Sequence, residues 1–287
     1  MSEPDPTSAS GRAAALADVP AEPGAPKPDP ILVVDDVHRQ FGGLVAVDVD
    51  HLEIQRGVVT ALIGPNGAGK TTFFNLLTGF DDRDRGTWQF DGVEIQGRPS
   101  YQVAQAGMVR TFQLTKVLSR LTVLENMKLG ATGQGGESLW RALLRRSWAS
   151  QEQQIEERAH EELERFDLAR MRDEYAATLS GGQRKLLELA RALMVQPTLV
   201  MLDEPMAGVN PALAQTLLDH MLKLPDRGMT VVFVEHDMDI VMNISDWIVC
   251  MAEGRIIAEG PPDRIANNDA VIDAYLGRHH DHPGGAR

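Results

Sequence analysis

The sequence predicts an α/β fold with a mixed-sheet core, an antiparallel β subdomain and an inserted α-helical subdomain. Three observations carry this reading. Short apolar runs alternate with helical patterns across residues 31–278, as they do in α/β domains. One of those runs ends in a glycine-rich loop that opens a helix. Strand-like runs then vanish between about Phe112 and Leu179 and return afterwards.

The elements follow in chain order. Pro4, Pro6, Pro20, Pro23, Pro26, Pro28 and Pro30 sit among Ala, Ser, Asp and Glu, so residues 1–30 are expected to be a disordered extension. No positive start and apolar block marks a signal peptide there. Val45, Val47 and Val49 alternate with polar neighbours like a half-buried strand, and Val58 to Ile63 is a continuous apolar run ending in glycine. Trp88 to Ile95 reads as a hairpin around Asp91-Gly92.

The helical insert spans about 113–180. Thr122-Val-Leu-Glu125 is a capping box, and Ile155, Ala159, Leu163 and Phe166 mark the apolar face of a second helix. Strands return at Thr198–Leu202, Thr230–Val234 and Trp247–Met251, with a helix over Pro211–Leu224. The single cysteine, Cys250, lies in the last of these runs, where no intramolecular disulfide is possible and a reducing compartment fits. Residues 279–287 are expected to be a flexible tail; no carboxylate or thiol framework surrounds His279, His280 and His282.

The chain has 287 residues, with 28 Lys and Arg against 41 Asp and Glu, a formal net charge of −13. That field excludes nucleic acid as a non-specific partner. Any polyanion must be gripped locally. No stretch approaches the roughly 18 to 20 uncharged apolar residues that cross a bilayer.

Gly64-Pro65-Asn66-Gly67-Ala68-Gly69-Lys70-Thr71 has the spacing of a phosphate-binding P-loop. Its glycines let backbone N–H groups turn inward around phosphate oxygens, and the following helix adds its positive end. Lys70 supplies a point charge, and the Thr71 hydroxyl is placed to ligate Mg²⁺; Thr72 continues the cradle. Four constrained positions match by chance in roughly 1% of chains this long.

Asp203 and Glu204 follow an apolar strand, at the edge where open α/β sheets bind ligands. Asp203 can hold a water in the Mg²⁺ shell and Glu204 can act as general base. Leu179-Ser180-Gly181-Gly182-Gln183 precedes another helix, with Ser180 as its cap and a second anion-binding terminus. Two cradles for one nucleotide are most economical if two such domains face each other.

In order and spacing, the P-loop, Leu179–Gln183 and Leu202-Asp203-Glu204-Pro205 resemble the ATP-binding cassette (ABC) ATPases over residues 31–278. The resemblance implies a head-to-tail dimer sandwiching two ATP molecules with Mg²⁺. It implies that Gln113 contacts Mg²⁺ and the attacking water and relays to membrane subunits, and that His236 steadies the γ-phosphate and Glu204. Phe41 stands where an aromatic ring, more commonly tyrosine, stacks on adenine. Asn210 departs from the aspartate common at that position.

Finer segments, among them Phe41-Gly-Gly-Leu-Val-Ala-Val, Gly107-Met-Val-Arg-Thr-Phe-Gln113 and Gly260-Pro-Pro-Asp-Arg264, resemble the ATPase subunits of branched-chain amino acid importers. Cassettes for urea or short-amide uptake and for lipopolysaccharide export share parts of the pattern, and a soluble ABC ATPase is a further alternative. The importer resemblance implies two permease subunits, a partner cassette that is identical or related, an extracytoplasmic binding protein, and a peripheral place on the cytoplasmic membrane face. Leu139 to Trp148 is a basic amphipathic stretch with two readings: contact with permease or lipid headgroups, or packing on the helical subdomain.

Overall fold

The structure, a computed structural model, describes residues 9–111, 117–131 and 145–276. After α1 (Ala9–Ala15), the long strands β1 (Pro30–Phe41) and β2 (Leu44–Gln55) pair antiparallel through a Gly42-Gly43 turn. Strand β3 (Val59–Ile63) leads into α2 (Lys70–Leu77). The hairpin predicted around Asp91-Gly92 is β4 (Arg85–Phe90) with β5 (Val93–Glu94). Helix α3 (Ser100–Gln105) precedes β6 (Met108–Thr111).

The insert contributes α4 (Val123–Lys128) and α5 (Arg145–Arg165), and α6 (Gly181–Leu193) follows it. Thr122 and Glu125 form the predicted capping box, and Ile155, Ala159, Leu163 and Phe166 are all buried in one core cluster. Then come β7 (Leu199–Asp203), α7 (Pro211–Leu222), β8 (Thr230–Val234) and α8 (Met238–Ile244). The last elements are β9 (Trp247–Ala252), β10 (Arg255–Gly260), α9 (Pro262–Ile265) and α10 (Asp269–Leu276).

Two sheets result. One is antiparallel, in the order β2-β1-β4-β5; the other runs β10-β9-β3-β8-β7-β6, parallel except for β10. The central parallel strands read as unbroken apolar runs because both faces are covered. Val59, Ala61 and Ile63 enter the core shared with α5, α6 and α7, whereas Leu62 enters the core shared with α2 and the antiparallel sheet. Cys250 is fully buried on the former face.

Residues 9–29 correct the expectation of a disordered extension. Arg12 is buried and its Nε donates to Asp246 at 2.8 Å. Leu16 and Ala25 are buried, and Lys27 donates to Glu259 at 3.1 Å with both side chains at most 1% exposed. The Lys27 ammonium lies 4.8 Å from the Trp247 ring centroid. Proline blocks helix and sheet but not an extended strap held by separated anchors, and four such anchors show no periodicity to read.

Of the basic stretch at 139–148, residues 139–144 lie outside the described residues, as do His279, His280 and His282. Among the described residues, no helix is long and apolar enough to cross a membrane.

Candidate nucleotide site

Neighbouring parallel strands end at one edge of the larger sheet, and the order β3-β8-β7-β6 sets what meets there. Strand β3 delivers the P-loop, β8 delivers His236, β7 delivers Asp203 and Glu204, and β6 leads toward Gln113. Gln113 itself lies outside the described residues.

In the loop Gly64, Pro65, Asn66, Gly67, Ala68, Gly69, the backbone must pass under other chain segments. Gly69 has φ +98°, and a Cβ there would collide with the Ala46 carbonyl oxygen of β2. That close approach carries the β1–β2 hairpin, with Phe41 at its tip, against the loop. Phe41 is 47% exposed, and its ring is backed by the Arg39 guanidinium, 4.5 Å from the centroid. Asp81 and Asp84 hold Arg39 in turn.

Lys70 is buried and donates to the carbonyls of Gly64 at 2.6 Å and Pro65 at 3.0 Å. Two of its three donors are thus satisfied by its own loop. Burial pushes its pKa below the ordinary lysine value, while Glu204, Cys250 and Asp203 pull the other way. The parallel order β3-β8-β7 places the lysine and both carboxylates at one edge of the sheet. Thr71 and Thr72 follow Lys70 in the first turn of α2, beside its positive end.

Asp203 is the last residue of β7 and nearly fully buried. Its Oδ2 accepts from Arg110 Nη2 at 2.6 Å, and Arg110 Nη1 donates to Asn75 at 2.5 Å. The second oxygen, Oδ1, is buried without a hydrogen-bond partner among the described residues. An orphaned carboxylate oxygen at the strand edge that also bears the P-loop and its threonine fits Mg²⁺ and its waters. Among the described residues no three His, Cys, Asp or Glu side chains gather as a metal cage, so phosphate oxygens would complete the shell.

Glu204 adopts φ +48°, a left-handed conformation that costs about 1–2 kcal/mol outside glycine. The turn swings its side chain out of the strand, where Glu204 Oε1 meets His236 Nε2 at 2.6 Å. A carboxylate only accepts, so Nε2 carries the proton. The loop behind is fixed by Glu235, whose buried carboxylate accepts from Met206 N–H at 2.9 Å. Burial raises the Glu235 pKa above the ordinary value.

Ser180 and Gln183 form a capping box at the start of α6, which leaves Gly181 exposed and packs Gly182 inward against Leu213. Among the described residues, no hydrogen bond or ion pair joins Ser180–Gln183 to the P-loop of the same chain. Sequence reading did not single out Arg110, Asn75, Glu235 or Lys185. The signal for Arg110 was a charge inside a four-residue strand that ends at the ligand edge. Lys185 donates to the carbonyls of Glu204, Pro205 and Ala207 at 3.4, 2.8 and 2.5 Å; three carbonyl acceptors leave no trace in side-chain identity.

Holding phosphate at one strand end and a steered carboxylate two strands away is the arrangement of P-loop nucleoside triphosphatases, the class that this fold and edge define. The model of the ABC transporter family matches residues 47–207, and that of the branched-chain amino acid ATP-binding cassette transporter matches residues 255–281. The chain belongs to the ABC transporter ATP-binding family and is an ATPase.

It is 41% identical over 247 residues to the probable branched-chain amino acid transport ATP-binding protein LivG of Archaeoglobus fulgidus, covering 86% of this chain and 95% of that one. It is 40% identical over 250 residues to the high-affinity branched-chain amino acid transport ATP-binding protein BraF of Pseudomonas aeruginosa, covering 86% and 98%. A crystal structure of a nucleotide-free ATP-binding cassette from an ABC transporter superposes with a TM-score of 0.74 at 37% identity, covering 86% and 98%. The ADP conformation of an ABC cassette gives 0.74 at 36% identity, covering 86% and 99%. Cassettes of this family work as dimers within transporter complexes that contain permease subunits.

Proposed function

We propose that this chain is the ATP-hydrolysing subunit of an importer of branched-chain amino acids, peripheral on the cytoplasmic membrane face. It works with a second cassette, two permeases and an extracytoplasmic binding protein. The observation that carries the hydrolytic reading is the Glu204–His236 contact of 2.6 Å beside the P-loop. The cargo reading rests on the branched-chain relatives and on the match at 255–281.

In this reading the N–H groups of Asn66 to Thr72 cradle the phosphates and Lys70 turns its remaining donor to them. Phe41 offers its open ring face to adenine. Thr71, Asp203 and Gln113 would hold Mg²⁺, which when bound neutralises phosphate charge. Glu204 takes a proton from water as the water oxygen bonds to the γ-phosphorus, and the bond to the bridging oxygen breaks to release ADP. His236 orients Glu204 through Nε2–H and lies beside the γ-phosphate. Ser180, Gly181, Gly182 and Gln183 close on the partner cassette's nucleotide, a reading supported by the lack, among the described residues, of any hydrogen bond between them and their own P-loop. The permease is assigned to a groove of about 490 Å³ at β6, lined by Arg110 and Thr111 among others, where Leu118 and Leu129 are 50% and 56% exposed.

The catalytic assignment is tested by Glu204→Gln, which is expected to lower kcat for ATP hydrolysis by about 10²–10⁴ while ATP binding persists and dimers accumulate. Substantial residual turnover refutes it. The cargo is tested in the assembled complex in lipid: leucine, isoleucine or valine with the binding protein should stimulate ATPase activity, and stimulation by urea or short amides alone overturns the reading.

A further inference from the structure

We propose that Tyr275 is a positioning residue for nucleotide binding, its hydroxyl latching the C-terminal helix α10 onto the first residue of the P-loop. The argument starts at Gly64, where the strand ladder ends. Ile63 pairs with Cys250 as the last rung between β3 and β9. Gly64 then turns with φ +147°, and a Cβ there would collide with the Met251 carbonyl oxygen. The loop thus crosses over the end of β9, and its first N–H needs an acceptor from outside the sheet.

Tyr275 supplies that acceptor: Gly64 N–H donates to its hydroxyl oxygen at 2.8 Å, across 211 positions of sequence. The helix that brings it is well anchored. Asn268 Oδ1 accepts from Ala270 and Val271 N–H at 3.0 and 3.3 Å and so caps the start of α10. Val271, 5% exposed, seats the helix in the core. Tyr275 follows four residues later, on the same face. Burial pushes the phenol up to about 12, so it remains a neutral hydroxyl at physiological pH.

The carbonyl of the same residue links the latch to phosphate chemistry. Gly64 C=O accepts from Lys70 Nζ at 2.6 Å. Gly64 is therefore held by Tyr275 through its N–H and holds Lys70 through its carbonyl, so one residue ties α10 to the lysine. Elsewhere the loop and α10 stand apart across a groove of about 460 Å³ lined by Pro65, Asn66, Gly67, Ala270, Asp273 and Ala274. With the hydroxyl removed, the loop loses its tie to α10 and the carbonyl that parks Lys70 loses its fixed place.

Tyr275→Phe keeps the ring and deletes the acceptor. In the full-length chain, titrated with ATP and Mg²⁺ by calorimetry, the variant should bind about fivefold more weakly, equivalent to about 1 kcal/mol. Hydrogen exchange at the Gly64 amide should quicken in the nucleotide-free protein. Affinity within about twofold of the parent, or a Gly64 amide that exchanges no faster, overturns the latch. A purely packing role for Tyr275 predicts both of those null results, since the ring is retained. Because the readout is nucleotide affinity, its outcome is independent of the cargo assignment.

Discussion

Lys27→Met tests the strap formed by residues 9–29. The Lys27 ammonium donates to Glu259 Oε2 at 3.1 Å and to the Ala25 carbonyl at 2.6 Å, and lies over Trp247. Glu259, with no side-chain exposure, also accepts from Ala25 N–H at 2.8 Å and Trp247 Nε1 at 2.9 Å. Methionine fills the lysine's volume without charge. Two neutral N–H donors then face a buried carboxylate that has lost its cation, and such a loss costs about 3–5 kcal/mol. In a chain of this size about 1 kcal/mol moves the melting temperature by roughly 2–4 °C, so the expected fall is roughly 6–20 °C.

Urea unfolding of the nucleotide-free protein measures the change. Adding Glu259→Gln should restore part of it, since the amide carries no charge and its single oxygen still accepts one of the two N–H groups. A single-variant loss below about 1 kcal/mol refutes an ordered strap, and strictly additive losses refute a coupled pair. Burial also holds the Lys27 pKa below its ordinary 10.5. The unfolded chain therefore binds more protons in the window between the two values, and the lysine's contribution to stability rises with pH there.

Two further outcomes follow from buried charge. Arg110→Met strands the Asp203 carboxylate, whose partner guanidinium is 5% exposed; nucleotide-free stability should fall by about 3 kcal/mol or more in urea, and a loss under about 1 kcal/mol refutes the pairing. Glu235, raised by burial above 4.5, binds its proton more tightly when folded, so its contribution is present below 4.5 and lost as pH rises through the folded value. The stability difference between Glu235→Gln and its parent should therefore shift in favour of the variant across that window, and a pH-independent difference refutes the assignment.

What was legible in the sequence was what repeats or is spaced. Period-two valines showed β2, the apolar runs showed the parallel strands, and the motif spacings showed the P-loop, Asp203-Glu204 and the Ser180 turn. The strap was illegible because Arg12, Leu16, Ala25 and Lys27 are single anchors whose partners, Asp246 and Glu259, lie more than 200 positions away. Arg110 looked like one charge in a strand until β6 was seen to lie against β7, which sets Arg110 opposite Met201 and two residues from Asp203. The left-handed turn at Glu204 was invisible for a different reason: non-glycine residues rarely adopt it, so identity gives no warning.

Lys185 shows what such silent contacts add to the site. It sits on α6 five residues after Ser180, and its ammonium satisfies three carbonyls in the segment that begins with Glu204. Among the described residues Ser180, at the start of α6, makes no hydrogen bond to its own P-loop, and in the proposed reading it meets the nucleotide of a facing cassette. The same helix is tied to the backbone of the carboxylate in its own chain. A shift of the α6 terminus is therefore carried through Lys185 to Glu204, because the ammonium cannot follow one end without straining its bonds to the other. In that reading, coupling between two nucleotides across a cassette dimer needs no flexible intermediary: α6 and the half-buried Lys185 span the distance from the terminus that meets one phosphate to the base that activates water at the other.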